Sequence, residues 1–176
     1  KKRYHFKYRY HIKNTTVYIL GLINYDNNYI QRDIEKAIYY FTRAANQNQP
    51  DALYNLGDIY YEGRFVTQDT NKAIHYFTLA ANQNNTISQH NLGVIYFEGK
   101  YVSQDIDKAI HYLTLAANKN HLESQNYLGI IYLEGKYVLR DINKSIIYHF
   151  LLNEIIQMHN ISLDSSIKMA LMFHVI

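Results

Sequence analysis

The sequence predicts an all-α fold of stacked antiparallel helix pairs, and three observations predict it. The first is recurrence: LGDIYYEGRFVTQDTNKAIHYFTLAANQN (Leu56 to Asn84) returns from Leu92 and Leu128, with a worn copy from Leu20. Gly21, Gly57, Gly93 and Gly129 set the period at 36 residues, within the range of helical repeat arrays. The second is apolar spacing: in the second copy Leu53, Leu56, Gly57 and Tyr60 form one stripe at helical spacing. The third is punctuation, an Asp before each second helix and a glycine just past most first helices.

Composition narrows the class further. With no cysteine there is no disulfide framework and no thiolate nucleophile or ligand. No apolar run reaches the length of a membrane span and no signal peptide is visible, so a cytoplasmic location is expected; the chain is also expected to be a monomer. The first residue is Lys, so a piece of a longer chain is also expected. The net charge of +3 is uneven. Residues 1–13 hold Lys1, Lys2, Arg3, Lys7, Arg9 and Lys13 without an acid, leaving 12 of the 18 basic residues against all 15 acidic ones. A mildly acidic repeat body is a poor wrapper of nucleic acid.

Along the chain, residues 1–13 alternate aromatic or apolar (Tyr4, Phe6, Tyr8, Tyr10, Ile12) with cationic or imidazole side chains. That pattern suits an arm contacting RNA or an acidic lipid surface. It also suits a remnant second helix, since Tyr4 lies one period before Tyr40; both readings stay open. Four repeats follow, at about 14–49, 50–85, 86–121 and 122–158, then a segment at 159–176 that is a cap or the start of continuing chain.

In the first repeat a helix is expected from about Thr16 to Asn24, then a loop at Asp26-Asn27-Asn28. Asp33, Asp69, Asp105 and Asp141 are the expected N-caps of the second helices, because a carboxylate accepts from the free first-turn amides. Pro50 fits the opening turn of a helix, where no amide need be donated. Gly57 and its equivalents cost helix propensity, about 1 kcal/mol against Ala, so their return implies close approach between helices. Gly63, Gly99 and Gly135 sit where a left-handed C′ residue belongs, and Asn27 takes that place in the first repeat. In the second helix Ala73, Tyr76, Phe77, Ala80 and Ala81 form the inward set, with Ile74 on its flank. Repeat four departs, with Ser145 for the first Ala and Leu152-Asn153 for the Ala pair. A last helix is expected from about Leu163 to Val175.

The string L-G-x-x-Y-x-x-G, then V-x-x-D-x-x-K-A-x-x-Y-x-x-A-A, resembles the Sel1-like repeat family, relatives of the tetratricopeptide repeat. In repeat two Leu56, Gly57, Tyr60, Gly63, Val66, Asp69, Lys72, Ala73, Tyr76, Ala80 and Ala81 carry the likeness; Asn24 and Asn27 depart from it in repeat one. The resemblance implies a right-handed α-solenoid whose concave face binds protein. It also implies an adaptor role in signalling or quality control, often beside other domains such as kinases. The disulfide-bearing secreted relatives are excluded by the lack of cysteine.

If the first helices line that face, the residues opposite their buried stripe are the binding candidates. These are Tyr54, Asp58 and Tyr61, at i, i+4 and i+7, with Tyr18, Leu22 and Tyr25 before them. His90, Val94 and Phe97, then Asn126, Ile130 and Leu133, follow. The ladder Tyr25, Tyr61, Phe97 and Leu133 is large and apolar, as a partner site would be; equally, it suits packing against the next repeat. No catalytic, cofactor or metal constellation stands out. His75 and His111 recur without a ligand at i+4, and Glu62, Glu98 and Glu134 read as polar helix ends. The expected function is a non-catalytic scaffold that binds a protein or peptide partner and carries no cofactor. The alternative is an anion-binding module acting through residues 1–13.

Overall fold

The structure, a computed structural model, describes residues 15–25, 33–134, 141, 143–145, 147 and 148. The chain divides into two compact units, Lys1–Gln89 and His90–Ile176. The basic arm at 1–13, the loop at 26–28, Gly135, Leu152-Asn153 and the expected helix at 163–175 lie outside the described residues. Every regular element among the described residues is helical. Residues 15–25 form α1, followed by α2 (Ile34–Ala45), α3 (Pro50–Glu62) and α4 (Thr70–Ala81). Then come α5 (Thr86–Glu98), α6 (Ile106–Ala117) and α7 (Leu122–Glu134).

The start of each second helix follows from one hydrogen-bond pattern. The carboxylates of Asp33, Asp69, Asp105 and Asp141 each accept from the amide of the Lys three residues on, at 3.0 Å. Each Asp amide in turn donates to a carbonyl near the end of the preceding first helix: Asn24, Tyr60, Tyr96 and Tyr132, at 2.9–3.1 Å. That bond ties the two helices of a repeat through the backbone. Accepting from Lys and its amide holds the carboxyls of Asp33, Asp69 and Asp105 below the usual carboxylate range.

The helix ends follow from φ. Gly63 and Gly99 close α3 and α5 at φ 63° and 64°, where an L side chain is strained. The second helices end differently. Ala45, Ala81 and Ala117 are followed by Asn-x-Asn turns whose second Asn (Asn48, Asn84, Asn120) stands at φ 58°, 66° and 62°. Asn is the non-glycine residue that tolerates this region best.

In unit 1 the core gathers Ala37, Phe41, Ala44, Leu53, Leu56 and Ala80, with Ala73 and Phe77 fully buried on α4. Burying one such large side chain contributes about 1.5–3 kcal/mol, so several helices must share the core. The recurring glycine explains how close the helices come. A Cβ on Gly21 would lie 2.5 Å from the Phe41 ring, and one on Gly57 would lie 2.6 Å from the Phe77 ring. In unit 2, Leu113, Ala117, Leu128 and Ile131 form the core, and a Cβ on Gly93 would meet Leu113 Cγ at 2.6 Å. The glycine thus makes room for one large side chain of the second helix. In repeat four Ser145, at the place of Ala37, Ala73 and Ala109, is buried and donates its hydroxyl to the Gly129 carbonyl at 3.1 Å.

Candidate protein-binding face

The face opposite each first helix's buried stripe is set by its periodicity. On α3, Ala52, Leu53, Asn55, Leu56, Gly57 and Ile59 are buried, which leaves Tyr54, Asp58 and Tyr61 at the boundary with solvent. All ten candidate residues share that status: Tyr25, Tyr54, Asp58, Tyr61, His90, Val94, Phe97, Asn126, Ile130 and Leu133 are each half-buried. They are neither core nor fully solvated.

Within unit 1 the rings lean on the second-helix Phe of their own repeat. Tyr18 and Tyr25 lie 5.9 and 6.0 Å from Phe41, and Tyr54 and Tyr61 lie 6.1 and 6.3 Å from Phe77. Two polar contacts join the first and second repeats. The Tyr25 hydroxyl donates to Asp58 Oδ2 at 3.2 Å, and Asn55 Nδ2 donates to the Tyr18 hydroxyl at 3.3 Å. Burial, aided by the nearby Glu62, pushes the Asp58 carboxyl above its ordinary range, although the Tyr25 hydrogen bond works against the shift. Burial also raises the Tyr54 phenol, with Asp58 and Glu62 adding to the effect. The site is therefore aromatic and biased against further negative charge.

Within unit 2, Phe97 meets Tyr127 edge-on at 5.7 Å, and His90 meets the same ring at 5.9 Å. His90 also lies 4.5 Å from the His121 ring, and both Nδ1 atoms reach the hydroxyl of buried Ser124, at 2.9 and 3.1 Å. Burial, and then the neighbouring His121, lower the His90 pKa to about 4, and Glu123 opposes the shift. Tyr127, His121 and Ser124 were not among the sequence-predicted residues. The signal was faint: Tyr127 takes a place held by Asn55 and Asn91 in repeats two and three, and His121 one held by Gln49 and Asn85.

The other face is built around a cation. Lys72 sits 5.0 Å over the Tyr60 ring while reaching Asp69 Oδ2 at 3.3 Å, and Tyr60 stacks on Tyr76 at 6.0 Å. Lys108 with Tyr96 and Tyr112, and Lys144 with Tyr132 and Tyr148, repeat the arrangement. The motif residues Asp, Lys and two Tyr therefore form one structural cluster. Repeat one has Asn24 in place of the first Tyr, and its amide donates instead to the Leu20 carbonyl at 2.7 Å. His75 and His111 are exposed, each edge-on to the next Tyr. Among the described residues no three His, Cys, Asp or Glu side chains gather to hold a metal, and no helix is long and apolar enough to cross a membrane.

The glycine pocket, the Asp cap and the Lys–Tyr stack thus recur together along the chain. A model of the Sel1 repeat matches residues 18–49, 50–85, 86–121 and 122–150. The chain belongs to the Sel1 repeat family. Among solved structures it is similar to a Sel1 repeat protein from Oxalobacter formigenes, at 27% identity and TM-score 0.72, over 80% of this chain and 58% of that one. It is also similar to a protective antigen of uropathogenic Escherichia coli displaying an SLR fold, at 27% identity and TM-score 0.71, over 92% of this chain and 38% of that one. The chain thus spans less than two thirds of either relative. Helicobacter pylori cysteine-rich protein B shares the fold at 22% identity and TM-score 0.57, over 72% of this chain and 93% of that one. No curated protein matches the sequence. The fold is the family's all-helical, tetratricopeptide-like solenoid class, and Sel1 repeats generally serve as protein-interaction scaffolds.

Proposed function

We propose that this Sel1 chain is a non-catalytic scaffold that receives a protein or peptide partner on its first-helix face. The observation that carries the reading is the shared half-burial of Tyr25, Tyr54, Tyr61 and Phe97. Large rings held at the boundary by packing against Phe41, Phe77 and Tyr127 lose little freedom on binding and still have area to bury. The family resemblance supports a role among other domains in signalling or quality control. The test is Tyr61→Ala combined with Phe97→Ala. Truncating a dominant interface ring costs about 2 kcal/mol or more, so the pair should abolish partner capture in a pull-down. Helical content should be retained by circular dichroism. Normal capture by a folded double variant would refute the reading.

A further inference from the structure

The first helices carry a one-sided charge. Residues 15–25 contain no charged side chain, and α3 contains Asp51, Asp58 and Glu62 with no Lys or Arg. Among the same unit's described residues Lys36, Arg43 and Lys72 lie on second helices, while Arg64, in the loop after α3, is the one cation that acts on Asp58. Lys36 and Lys72 are held by their own cap carboxylates. Of the three acids, Glu62 pairs with Arg64 at 2.7 Å and Asp51 accepts from Asn85 at 3.2 Å. Asp58 makes no ion pair among the described residues. It is half-buried, shares a helix face with Tyr54 and Tyr61, and accepts from the Tyr25 hydroxyl through Oδ2.

We propose that this face binds a basic segment of the partner protein, with an arginine guanidinium seated on Asp58 between the Tyr54 and Tyr61 side chains. The proposal rests on the first-helix face being the partner site and names the chemistry it accepts. A guanidinium fits on three counts. Its planar fork matches a carboxylate, and Oδ1 is not engaged by Tyr25. Its flat surface packs on tyrosine rings, where a compact ammonium gains less. Its charge complements a surface of three carboxylates of which only Glu62 is paired with a cation, Arg64, whereas an acidic peptide or a phosphate backbone would be repelled.

The test uses the full chain and three labelled peptides read by fluorescence anisotropy. One has a central arginine flanked by leucines; the second has citrulline, nearly isosteric but uncharged, in its place; the third has glutamate. The arginine peptide should bind at least about tenfold more tightly than the citrulline peptide, and the glutamate peptide should show no binding. Asp58→Asn should remove the arginine preference. It keeps an oxygen to accept from Tyr25 and relieves a half-buried charge, so it should fold, which circular dichroism checks. Asp107→Asn, at an exposed acid on α6, should leave the preference intact. Equal binding of arginine and citrulline peptides, or an arginine preference that survives Asp58→Asn, would overturn the proposal. Binding that appears only once Arg3→Gln, Lys7→Gln and Arg9→Gln are introduced would make residues 1–13 the occupant and overturn the partner assignment. The face and its chemistry can fail separately. Natural-partner capture lost by Tyr61→Ala with Phe97→Ala but untouched by Asp58→Asn keeps the face and rejects the guanidinium.

Discussion

Gly93→Leu puts the packing account under the greatest load. A Cβ on this glycine would lie 2.6 Å from Leu113 Cγ, 2.8 Å from Cδ2 and 3.2 Å from the Leu113 backbone nitrogen. Leu113 is fully buried, so it has no empty space to turn into, and the new side chain adds three further carbons beyond the Cβ. Overpacking of this kind costs about 1–3 kcal/mol, and the rigid surroundings place this site at the upper end. Helix propensity works the other way, favouring Leu over Gly by up to about 1 kcal/mol. The expected net loss is about 2 kcal/mol. With a urea dependence of about 2 kcal/mol/M, the midpoint should fall by about 1 M. Leu113→Ala alone should cost about 2–5 kcal/mol through the cavity it leaves. Combined with Gly93→Leu it should cost less than the sum, because each change relieves the other. A variant at least as stable as the parent, or strict additivity in the pair, would refute the close-approach argument.

Two further outcomes follow from the turns and the histidine pair. Asn84 stands at φ 66°, so Asn84→Gly should be close to neutral, whereas Asn84→Val should lose about 1–2 kcal/mol in a urea melt; equal effects would remove the role given to the left-handed turn. His90 is held neutral, with a pKa near 4, among His121, Glu123, Ser124 and Tyr127. Because the unfolded chain takes up this proton first, the contribution is whole above pH 6.5 and is lost as pH falls towards 4. After allowing for solvent screening of a ring still partly exposed, the loss is about 1–2 kcal/mol. His90→Asn, the residue repeat four uses at Asn126, should lack that portion of the pH slope; identical slopes would contradict it.

Much of the fold was legible in the sequence because it depends on local chemistry that repeats. An Asp before each second helix has one economical use, as an acceptor for first-turn amides, and four carboxylates use it so. Pro50 opens α3 and Gly63 closes it for equally local reasons. Close approach at Gly57 was also legible, but not its partner, since only side-chain packing shows that the Phe77 ring fills the space. The Asp–Lys–Tyr cluster was visible as a motif and not as an object. Lys72 reaches Tyr60 and Asp69 at once only after the two helices pair. The Asn turns were overlooked because Asn48, Asn84 and Asn120 look ordinary in an Asn-rich chain until φ is known. At the candidate face, periodicity placed Tyr54, Asp58 and Tyr61 together. It could not foresee the Tyr25–Asp58 hydrogen bond or the His90–Ser124–His121 contact, which join different repeats.

The central claim, that the first-helix face is where a partner sits, is tested most directly by contact. A photo-crosslinking phenylalanine analogue placed at Tyr61, and separately at His75 on the exposed side of α4, can be irradiated in a lysate of cells that make the protein. The account predicts a discrete crosslinked partner from position 61 that Asp58→Asn or Phe97→Ala weakens, and none from position 75. The same partner captured from position 75 and not from 61 would contradict it.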